Sequence, residues 1–234
     1  MINNFDGEDY INFDGHEYFL SSTPLLDFSH TKTGNFELFT NHYLPKAGDV
    51  VFDIGAGEGE EITRFSRIVG DLGLVVAIEA HPIAFRRLVK LCKVSNLTNV
   101  ICLNYAVSDS NSSRAFFNLE DTYTVAANIF GEDMQNGYGV PTRRLDSILR
   151  QYSISEINFL KMNIEGAEVS AILGLGSFIS RIKNVCIGCH DFLETSETRT
   201  FQKVFDLLSG RFEIERNDYS ELYPWQNFYL YGKR

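Results

Sequence analysis

This sequence lacks long apolar runs, an export signal and an excess of basic residues. No stretch of about 18 apolar residues occurs, so the sequence predicts no membrane-spanning helix. The opening MINNFDGEDY does not have the basic-then-apolar order of a signal peptide. We therefore expect a cytoplasmic protein that does not bind membranes.

The formal net charge is −10, and the acidic excess is confined to the start of the sequence. Residues 1–61 hold 12 acidic and 2 basic side chains, whereas residues 62–234 hold 19 of each. Proteins that bind nucleic acid neutralise phosphates with lysine and arginine, and this sequence offers no basic stripe. We expect no nucleic-acid partner and attribute the acidic start to solubility.

Cysteine is scarce, with four residues at positions 92, 102, 186 and 189. In a reducing cytoplasm these are expected to be buried thiols. Cys186 and Cys189 have the C-x-x-C spacing, but they fall in a predicted strand, where side chains three residues apart face opposite sides. That geometry favours neither a redox pair nor a metal clamp, and we predict no bound metal.

From Asp49 onward, short apolar runs alternate with segments whose apolar residues recur at helical spacing. This order predicts an α/β protein with a Rossmann-like fold, in which helices cover both faces of a mostly parallel, seven-stranded sheet. The last two strands follow one another directly and predict a C-terminal β-hairpin. The predicted strands are 50–54, 74–78, 99–104, 157–164, 184–188, 212–215 and 228–231, and the main helices begin at 62, 82, 168 and 201.

Two segments stand outside the alternation. Residues 1–48 form an N-terminal extension that we interpret as a lid or an added sheet edge, and that could instead mediate homodimer formation. Residues 49–234 form the main domain. Within it, 108–156 is too long for a simple connection, so we expect extra strands, a short helix near 145–152 and partial cover of an active site.

The strongest motif is Asp53-Ile54-Gly55-Ala56-Gly57-Glu58-Gly59-Glu60, where a strand ends, a glycine loop follows and a helix begins. Ligands of open α/β sheets bind at such strand ends. The spacing G-x-G-x-G departs from the G-x-G-x-x-G of dinucleotide sites, and the flanking acids would repel a pyrophosphate. A cationic nucleoside such as S-adenosylmethionine (SAM) suits these surroundings better.

A second acid, Glu79, ends the next predicted strand, 26 residues after Asp53. A carboxylate at this position can accept hydrogen bonds from both ribose hydroxyls of a nucleoside. We place the neighbouring Ala80 among the cofactor contacts as well.

Several stretches together resemble the FkbM-type methyltransferases, a class I SAM-dependent family. They are VFDIGAGEGE (51–60), AIEAHP (77–82), NYAVSD (104–109), VPTRRLDSIL (140–149) and INFLKMNIEGAE (157–168). The resemblance implies that Asp53, Gly55, Gly57 and Gly59 hold the methionine part of SAM, that Glu79 holds the ribose and that Ala106 and Val107 border the adenine. It also implies O-methylation of small natural products or sugars.

The sequence departs from the family pattern at Asn163, where an aspartate is usual. We count Asn163 among the cofactor contacts. Because side chains alternate along a strand, Lys161, Asn163 and Glu165 are expected to share one face, with Glu165 at the tip. His190 and Asp191 follow the next predicted strand, and His190 is a plausible general base. The predicted catalytic residues are therefore Glu165, His190 and Asp191.

Three alternatives stay open at this point. Asn163, Glu165 and Asp191 could together hold a Mg²⁺ ion through oxygen ligands, although we do not favour a metal. The fold could serve an NAD-dependent oxidoreductase, against which the glycine spacing argues. It could also be a SAM-fold protein that binds a partner without catalysis.

Overall fold

A computed structural model of the chain describes residues 2–13, 16–19, 36–118, 137–193, 199–217 and 220–234. The chain divides into two compact units, Met1–Asn104 and Tyr105–Arg234. The fold is mixed α/β with a seven-stranded, mostly parallel main sheet, which confirms the predicted class. The predicted boundary between residues 48 and 49 stays a prediction.

The described part of the first unit contains a three-stranded antiparallel sheet, a helical stretch at 36–40 and three parallel strands of the main sheet. Its elements are β1 (Ile2–Phe5), β2 (Glu8–Phe13), β3 (His16–Phe19), β4 (Val50–Ile54), α1 (Ile62–Val69), β5 (Leu74–Ile78), α2 (Pro82–Val94) and β6 (Val100–Leu103).

Apolar side chains hold the parallel strands and α1 together. Phe52 on β4 and Val76 on β5 are fully buried, as are Ile62, Phe65 and Val69 on one face of α1. Full burial of each such side chain contributes about 1.5–3 kcal/mol relative to exposure. The predicted apolar periodicity of this helix is confirmed.

Both helices of the first unit have defined ends. Pro82 opens α2, where its missing N–H is not needed, and His81 Nδ1 accepts a hydrogen bond from the Ala84 N–H. At the C-terminal end of α1, the Asn99 side-chain amide donates to the carbonyl oxygens of Ser66 and Gly70, both at 2.9 Å. These contacts satisfy backbone groups that a helix end leaves open.

The second unit carries a small three-stranded sheet and four strands of the main sheet. Its described elements are β7 (Ala106–Val107), β8 (Arg114–Asn118), β9 (Gly137–Arg143), α3 (Leu145–Gln151), β10 (Ile157–Asn163), α4 (Glu168–Leu173), β11 (Ile182–Gly188), α5 (Phe201–Ser209), β12 (Glu213–Arg216) and β13 (Tyr229–Lys233), with short 3₁₀ turns at Gly176–Arg181, Asp191–Leu193 and Pro224–Phe228.

The two unusual topological features predicted for this unit are both present. β13 is antiparallel to β11 and to β12, so the terminal hairpin inserts one reversed strand into the parallel sheet. The segment 108–156 contributes the extra strands β8 and β9, which pair antiparallel, and the short helix α3. Residues 119–136 of this segment, and 20–35 of the N-terminal extension, lie outside the described residues, so their proposed covering roles stay predictions.

Two of the four cysteines are less buried than expected. Cys186 and Cys189 are buried free thiols, whereas Cys92 on α2 and Cys102 on β6 are only half-buried. The Sγ atoms of this second pair lie 3.6 Å apart, because the helix packs directly on its strand. Within the described ranges, no helix is long and apolar enough to cross a membrane.

Candidate functional site

The loop after β4 is shaped by three glycines in left-handed backbone conformations. Gly55, Gly57 and Gly59 have φ values of 77°, 56° and 99°, which side chains with a Cβ rarely adopt. The N–H groups of Gly55 and Ala56 both donate to the carbonyl oxygen of Ile78 at the end of β5, at 2.9 and 3.1 Å. The loop is therefore fixed to the neighbouring strand.

Gly59 also permits close helix packing. A Cβ at this position would lie 2.6 Å from Leu91 Cδ2 and 3.0 Å from Leu88 Cδ1, both on α2. A third glycine that permits close packing against a helix is also a feature of dinucleotide folds. The glycine spacing therefore reflects both backbone conformation and packing.

Glu79 connects the glycine loop to the end of β5. Its Oε2 accepts a hydrogen bond from the Gly57 N–H at 2.8 Å, and its Oε1 accepts one from the His81 N–H at 2.6 Å. The Asn104 side-chain amide donates to the carbonyl oxygens of Glu79 and Ala80, at 2.8 and 3.0 Å. Backbone N–H groups therefore hold both carboxylate oxygens of Glu79 in place at the end of β5.

Asp53 lies near the C-terminal end of β4, two residues before Gly55, and is fully buried. It pairs with Ala77 of β5 in the parallel register. Burying a carboxylate costs free energy unless polar partners compensate. Carboxylates retained in such positions occur in functional sites and in structural polar networks.

The charge around the glycine loop is less negative than the sequence suggests. Glu58 forms an ion pair with Arg87 of α2, with Arg87 Nη1 2.5 Å from Glu58 Oε1. The arginine offsets one of the acidic charges that the sequence argument placed around the ligand. The expected charge around the ligand is therefore too negative, because Arg87 lies 29 residues from Glu58 and only the fold brings it to the loop.

In the second unit, β10 ends at Asn163, one residue before the predicted end of the strand, and Glu165 does not continue it. Glu165 has a φ of 57° and Gly166 a φ of 106°, so the chain turns sharply at this point. The expected alternation of Lys161, Asn163 and Glu165 on one face is therefore wrong for Glu165, because alternation requires extended backbone.

Glu165 lies in surroundings that favour its protonated form. Burial raises the pKa of its carboxyl to about 7; a positive charge on His190 opposes this shift, and the charge of Glu168 adds to it. A carboxyl that titrates near neutrality is a candidate for proton transfer.

Glu168 opens α4 and is fully buried. Its Oε1 lies 3.1 Å from His190 Nδ1, and its Oε2 accepts a hydrogen bond from the Thr200 hydroxyl at 2.9 Å. Both oxygens also accept from the Gly166 N–H, at 3.1 and 3.0 Å. Neither Glu168 nor Thr200 is among the predicted site residues, although a threonine just before an apolar helical face is a recognisable cap position.

His190 contacts the Glu168 carboxylate, whereas Asp191 contacts the start of α5. His190 is buried, and its ring is in contact with Phe192, with 5.6 Å between ring centroids. Asp191 Oδ2 accepts hydrogen bonds from the backbone N–H groups of Thr200 and Phe201, both at 3.0 Å. Asp191 therefore caps the start of α5, which is a structural contact.

Ala106 and Val107 are both buried in β7. They pair in parallel with Thr142 and Arg143 of β9. Their assignment to the adenine ring stays a prediction. Among the residues that the structure describes, no group of three or more His, Cys, Asp or Glu side chains could hold a metal ion, so the magnesium hypothesis gains no support.

Comparison with known proteins identifies the family. The model of the methyltransferase FkbM domain matches residues 53–220. The chain belongs to the FkbM methyltransferase family. This assignment, over most of the chain, confirms the resemblance and favours a SAM-dependent methyltransferase over an NAD-dependent oxidoreductase.

Solved structures similar to this FkbM-family chain share its fold at low sequence identity. Fibrillarin from Aeropyrum pernix, in complex with natively bound SAM, is 14% identical with a TM-score of 0.52, and the match covers 98% of this chain and 83% of that one. Fibrillarin from Methanococcus jannaschii is 13% identical with a TM-score of 0.50, covering 100% and 96%. A candidate methyltransferase from Streptococcus mutans in complex with SAH, the demethylated product of SAM, is 10% identical with a TM-score of 0.50, covering 86% and 96%. A search of curated proteins finds no match.

Proposed function

We propose that this FkbM-family chain transfers the methyl group of SAM to a hydroxyl oxygen of a small molecule, such as a sugar or a natural product. The single observation that carries the cofactor part is the hydrogen bond from the Gly57 N–H to Glu79 Oε2, at 2.8 Å, within the family's glycine loop. It fixes a carboxylate beside a loop that a ligand can approach closely.

The cofactor contacts are assigned to residues of the first unit. Glu79 would accept hydrogen bonds from the ribose hydroxyls of SAM, with Ala80 beside it. Gly55, Gly57 and Gly59 would give the loop the left-handed turns with which its backbone holds the methionine part. The SAM-bound and SAH-bound fibrillarin-like and methyltransferase structures support this choice of ligand. Ala106, Val107 and Asn163 are proposed as further contacts.

The chemistry needs alignment and one proton acceptor. SAM supplies an activated methyl group, whose carbon–sulfur bond breaks as the new carbon–oxygen bond forms. Holding the acceptor oxygen at about 3–3.5 Å from the reacting carbon can lower the barrier by about 7–11 kcal/mol. The hydroxyl proton must leave, and we assign its removal to His190, with Glu165 as a second candidate.

Ligand binding tests the cofactor assignment first. Thermal shift and calorimetry with SAM, SAH and NAD should show binding of the two sulfur nucleosides and none of NAD. Asp53→Ala should abolish SAM binding, and Asp53→Asn should weaken it by about tenfold or more, as expected when a hydrogen bond to a charged group is lost. Asp71→Asn, at an exposed carboxylate of the same unit, is the matched control and should bind as the wild type does. Unchanged SAM affinity in a folded Asp53→Ala protein would remove this residue from the site.

Methyl transfer is tested with radiolabelled SAM and a panel of hydroxylated sugars and natural products. Labelled product with at least one acceptor would support the proposed reaction. Tight SAM binding without transfer to any acceptor would instead support a non-catalytic binding protein.

A further inference from the structure

Four residues of the second unit form a closed ring, through side-chain hydrogen bonds, one backbone N–H and one peptide link. Glu168 contacts His190 through Oε1 and Thr200 through Oε2. The Thr200 N–H donates to Asp191 Oδ2, and Asp191 follows His190 in the chain. Glu168, His190 and Thr200 are buried, so solvent does not compete for these hydrogen bonds. We call these four residues the Glu168 ring.

We propose that Glu168 is the positioning residue of His190: it holds the imidazole in the tautomer that carries its proton on Nδ1 and leaves the Nε2 lone pair free to take a proton. The inference rests on the proposed function only in giving His190 the role of base. The tautomer itself can be tested without any acceptor.

Counting donors supports this tautomer. An ionised carboxylate only accepts hydrogen bonds, and a neutral imidazole donates from one nitrogen and accepts at the other. The Glu168 carboxylate faces Nδ1 at 3.1 Å. A lone pair on Nδ1 would face the lone pairs of Oε1, whereas a proton there makes a hydrogen bond. The contact made by one ring nitrogen thereby sets the state of the other.

Thr200 and Asp191 keep Glu168 in this orientation. The Thr200 hydroxyl and the Gly166 N–H satisfy Glu168 Oε2, which leaves Oε1 directed at His190. Asp191 fixes the Thr200 backbone at the start of α5. The ring of Phe192 lies against the imidazole and limits its rotation. Replacing any one of these contacts should therefore loosen the histidine.

Among the residues that the structure describes, the neighbouring Glu165, Cys189 and Asp191 do not supply His190 Nδ1 with another partner of the same kind. Glu165 has a pKa raised to about 7 mainly by burial, so it is largely protonated at mildly acidic pH. Burial and the charge of Glu168 raise the pKa of the Cys189 thiol, which keeps it neutral. The Asp191 carboxylate is engaged by two backbone N–H groups.

The direct test is the tautomer of His190 in the full chain. Long-range ¹H–¹⁵N spectra of the labelled protein distinguish a protonated from an unprotonated imidazole nitrogen, and the signals lost in His190→Gln identify this residue among the five histidines. We expect a proton on Nδ1 and none on Nε2 at a pH where the ring is neutral. A proton on Nε2 instead would overturn the inference.

Substitutions test whether Glu168 is responsible. Glu168→Gln can turn its amide toward Nδ1 and donate to it, so the proton should move to Nε2. Thr200→Val removes one donor to Glu168 and should give a mixture of tautomers, while Thr200→Ser keeps the hydroxyl and should match the wild type. Thermal unfolding of each sample shows whether it is folded. If Glu168→Gln does not fold, the wild-type tautomer decides, and a proton on Nε2 contradicts the proposal; an unchanged tautomer in folded Thr200→Val shows only that Thr200 is not needed to orient Glu168.

Turnover gives a second readout once the panel of hydroxylated acceptors yields a substrate. Loss of a general base lowers kcat by about 10²–10⁴-fold. Glu168→Gln and His190→Gln should each lower kcat within this range, and the double variant should lose little more, because residues acting as a unit are not additive. The KM for SAM should stay unchanged. Additive losses would contradict a positioning role. Failure of the wild type to bind SAM would refute the proposed function and leave the tautomer result standing.

Discussion

Glu79 and Gly57 are joined by a hydrogen bond of 2.8 Å from the Gly57 N–H to Glu79 Oε2, which ties the glycine loop to the end of β5. The other carboxylate oxygen of Glu79 accepts from the His81 N–H, at the start of α2. The Glu79 side chain thus holds both the glycine loop after β4 and the start of α2 after β5. A substitution at Glu79 should affect both the local fold and ligand binding.

Glu79→Gln should weaken both properties because an amide has only one acceptor oxygen. One of the two backbone N–H groups would then face the NH₂ of glutamine. Leaving a buried donor unsatisfied costs about 1–3 kcal/mol, so the free energy of unfolding in urea should fall by that amount. Calorimetry should show SAM affinity lower by about tenfold or more.

Glu37→Gln is the matched control, because Glu37 is exposed in the helical stretch at 36–40. It should change the free energy of unfolding by no more than about 0.5 kcal/mol. If Glu79→Gln behaves like this control in both measurements, the carboxylate does not hold the loop.

Gly59→Ala should be strongly destabilising. The backbone at Gly59 has a φ of 99°, and a Cβ would lie 2.6 Å from Leu91 Cδ2. Backbone strain and overpacking each cost about 1–3 kcal/mol, and together we expect a loss of about 2–4 kcal/mol in urea unfolding.

Gly210→Ala provides the comparison, because Gly210 has a φ of −80° and nothing lies within 4 Å of a Cβ built there. This change should be neutral or stabilising by up to about 1 kcal/mol. Equal effects of the two substitutions would show that the packing of α2 on the loop is not tight.

The regular elements were predictable because each is specified by local periodicity. β4 and β5 begin and end at the predicted residues, α1 and α4 begin at theirs, and the reversed strand β13 followed from two strands in direct succession. The turn at Glu165 was not predictable in this way. A left-handed glutamate contradicts its own local preference, and only the surrounding structure holds it there.

The candidate site was predictable where the order of strand, loop and helix marks its residues. Asp53, the glycines and Glu79 could be recognised from the strand–loop–helix order. The Glu58–Arg87 ion pair and the Glu168–Thr200 hydrogen bond join residues 29 and 32 positions apart. Such contacts depend on how helices pack, which periodicity does not specify. An acid in the first turn of α4 and a threonine before α5 were the available signals for the second contact.

The raised pKa of Glu165 should make the stability of the protein depend on pH. The pKa lies near 7 in the folded state and near the ordinary value of 4.5 in the unfolded state. Between these values the folded protein retains a proton that the unfolded chain releases, so stability falls as the pH rises from about 4.5 to about 7. The loss is complete above pH 7 and amounts to at most about 3 kcal/mol.

Glu165→Gln should remove this loss, because glutamine does not titrate and keeps a similar size. The measurement is the difference in the free energy of unfolding between pH 5 and pH 8, which should be smaller in Glu165→Gln than in the wild type. Glu37→Gln should keep the wild-type difference. Equal differences in all three proteins would show that Glu165 is not desolvated.

Asp191→Ala should destabilise the start of α5. The carboxylate accepts from the N–H groups of Thr200 and Phe201, and loss of a helix cap typically costs about 1 kcal/mol, within a range of about 0.5–2. Asp191→Asn keeps an acceptor oxygen, so it should lower the free energy of unfolding in urea by only a few tenths of a kcal/mol. Asp206→Ala, in the same helix, removes an exposed contact with Gln202 and should cost at most about 0.5 kcal/mol.

The same variants separate a structural from a catalytic role for Asp191. If Asp191 only caps α5, Asp191→Asn should keep nearly all of the methyl-transfer rate with any acceptor found in the panel, because the Glu168 ring stays assembled. If Asp191 takes part in proton transfer, Asp191→Asn should lose about 10²-fold or more in kcat while remaining as stable as the wild type. The capping distances of 3.0 Å to both N–H groups favour the first outcome, since this carboxylate oxygen is already directed at the helix end.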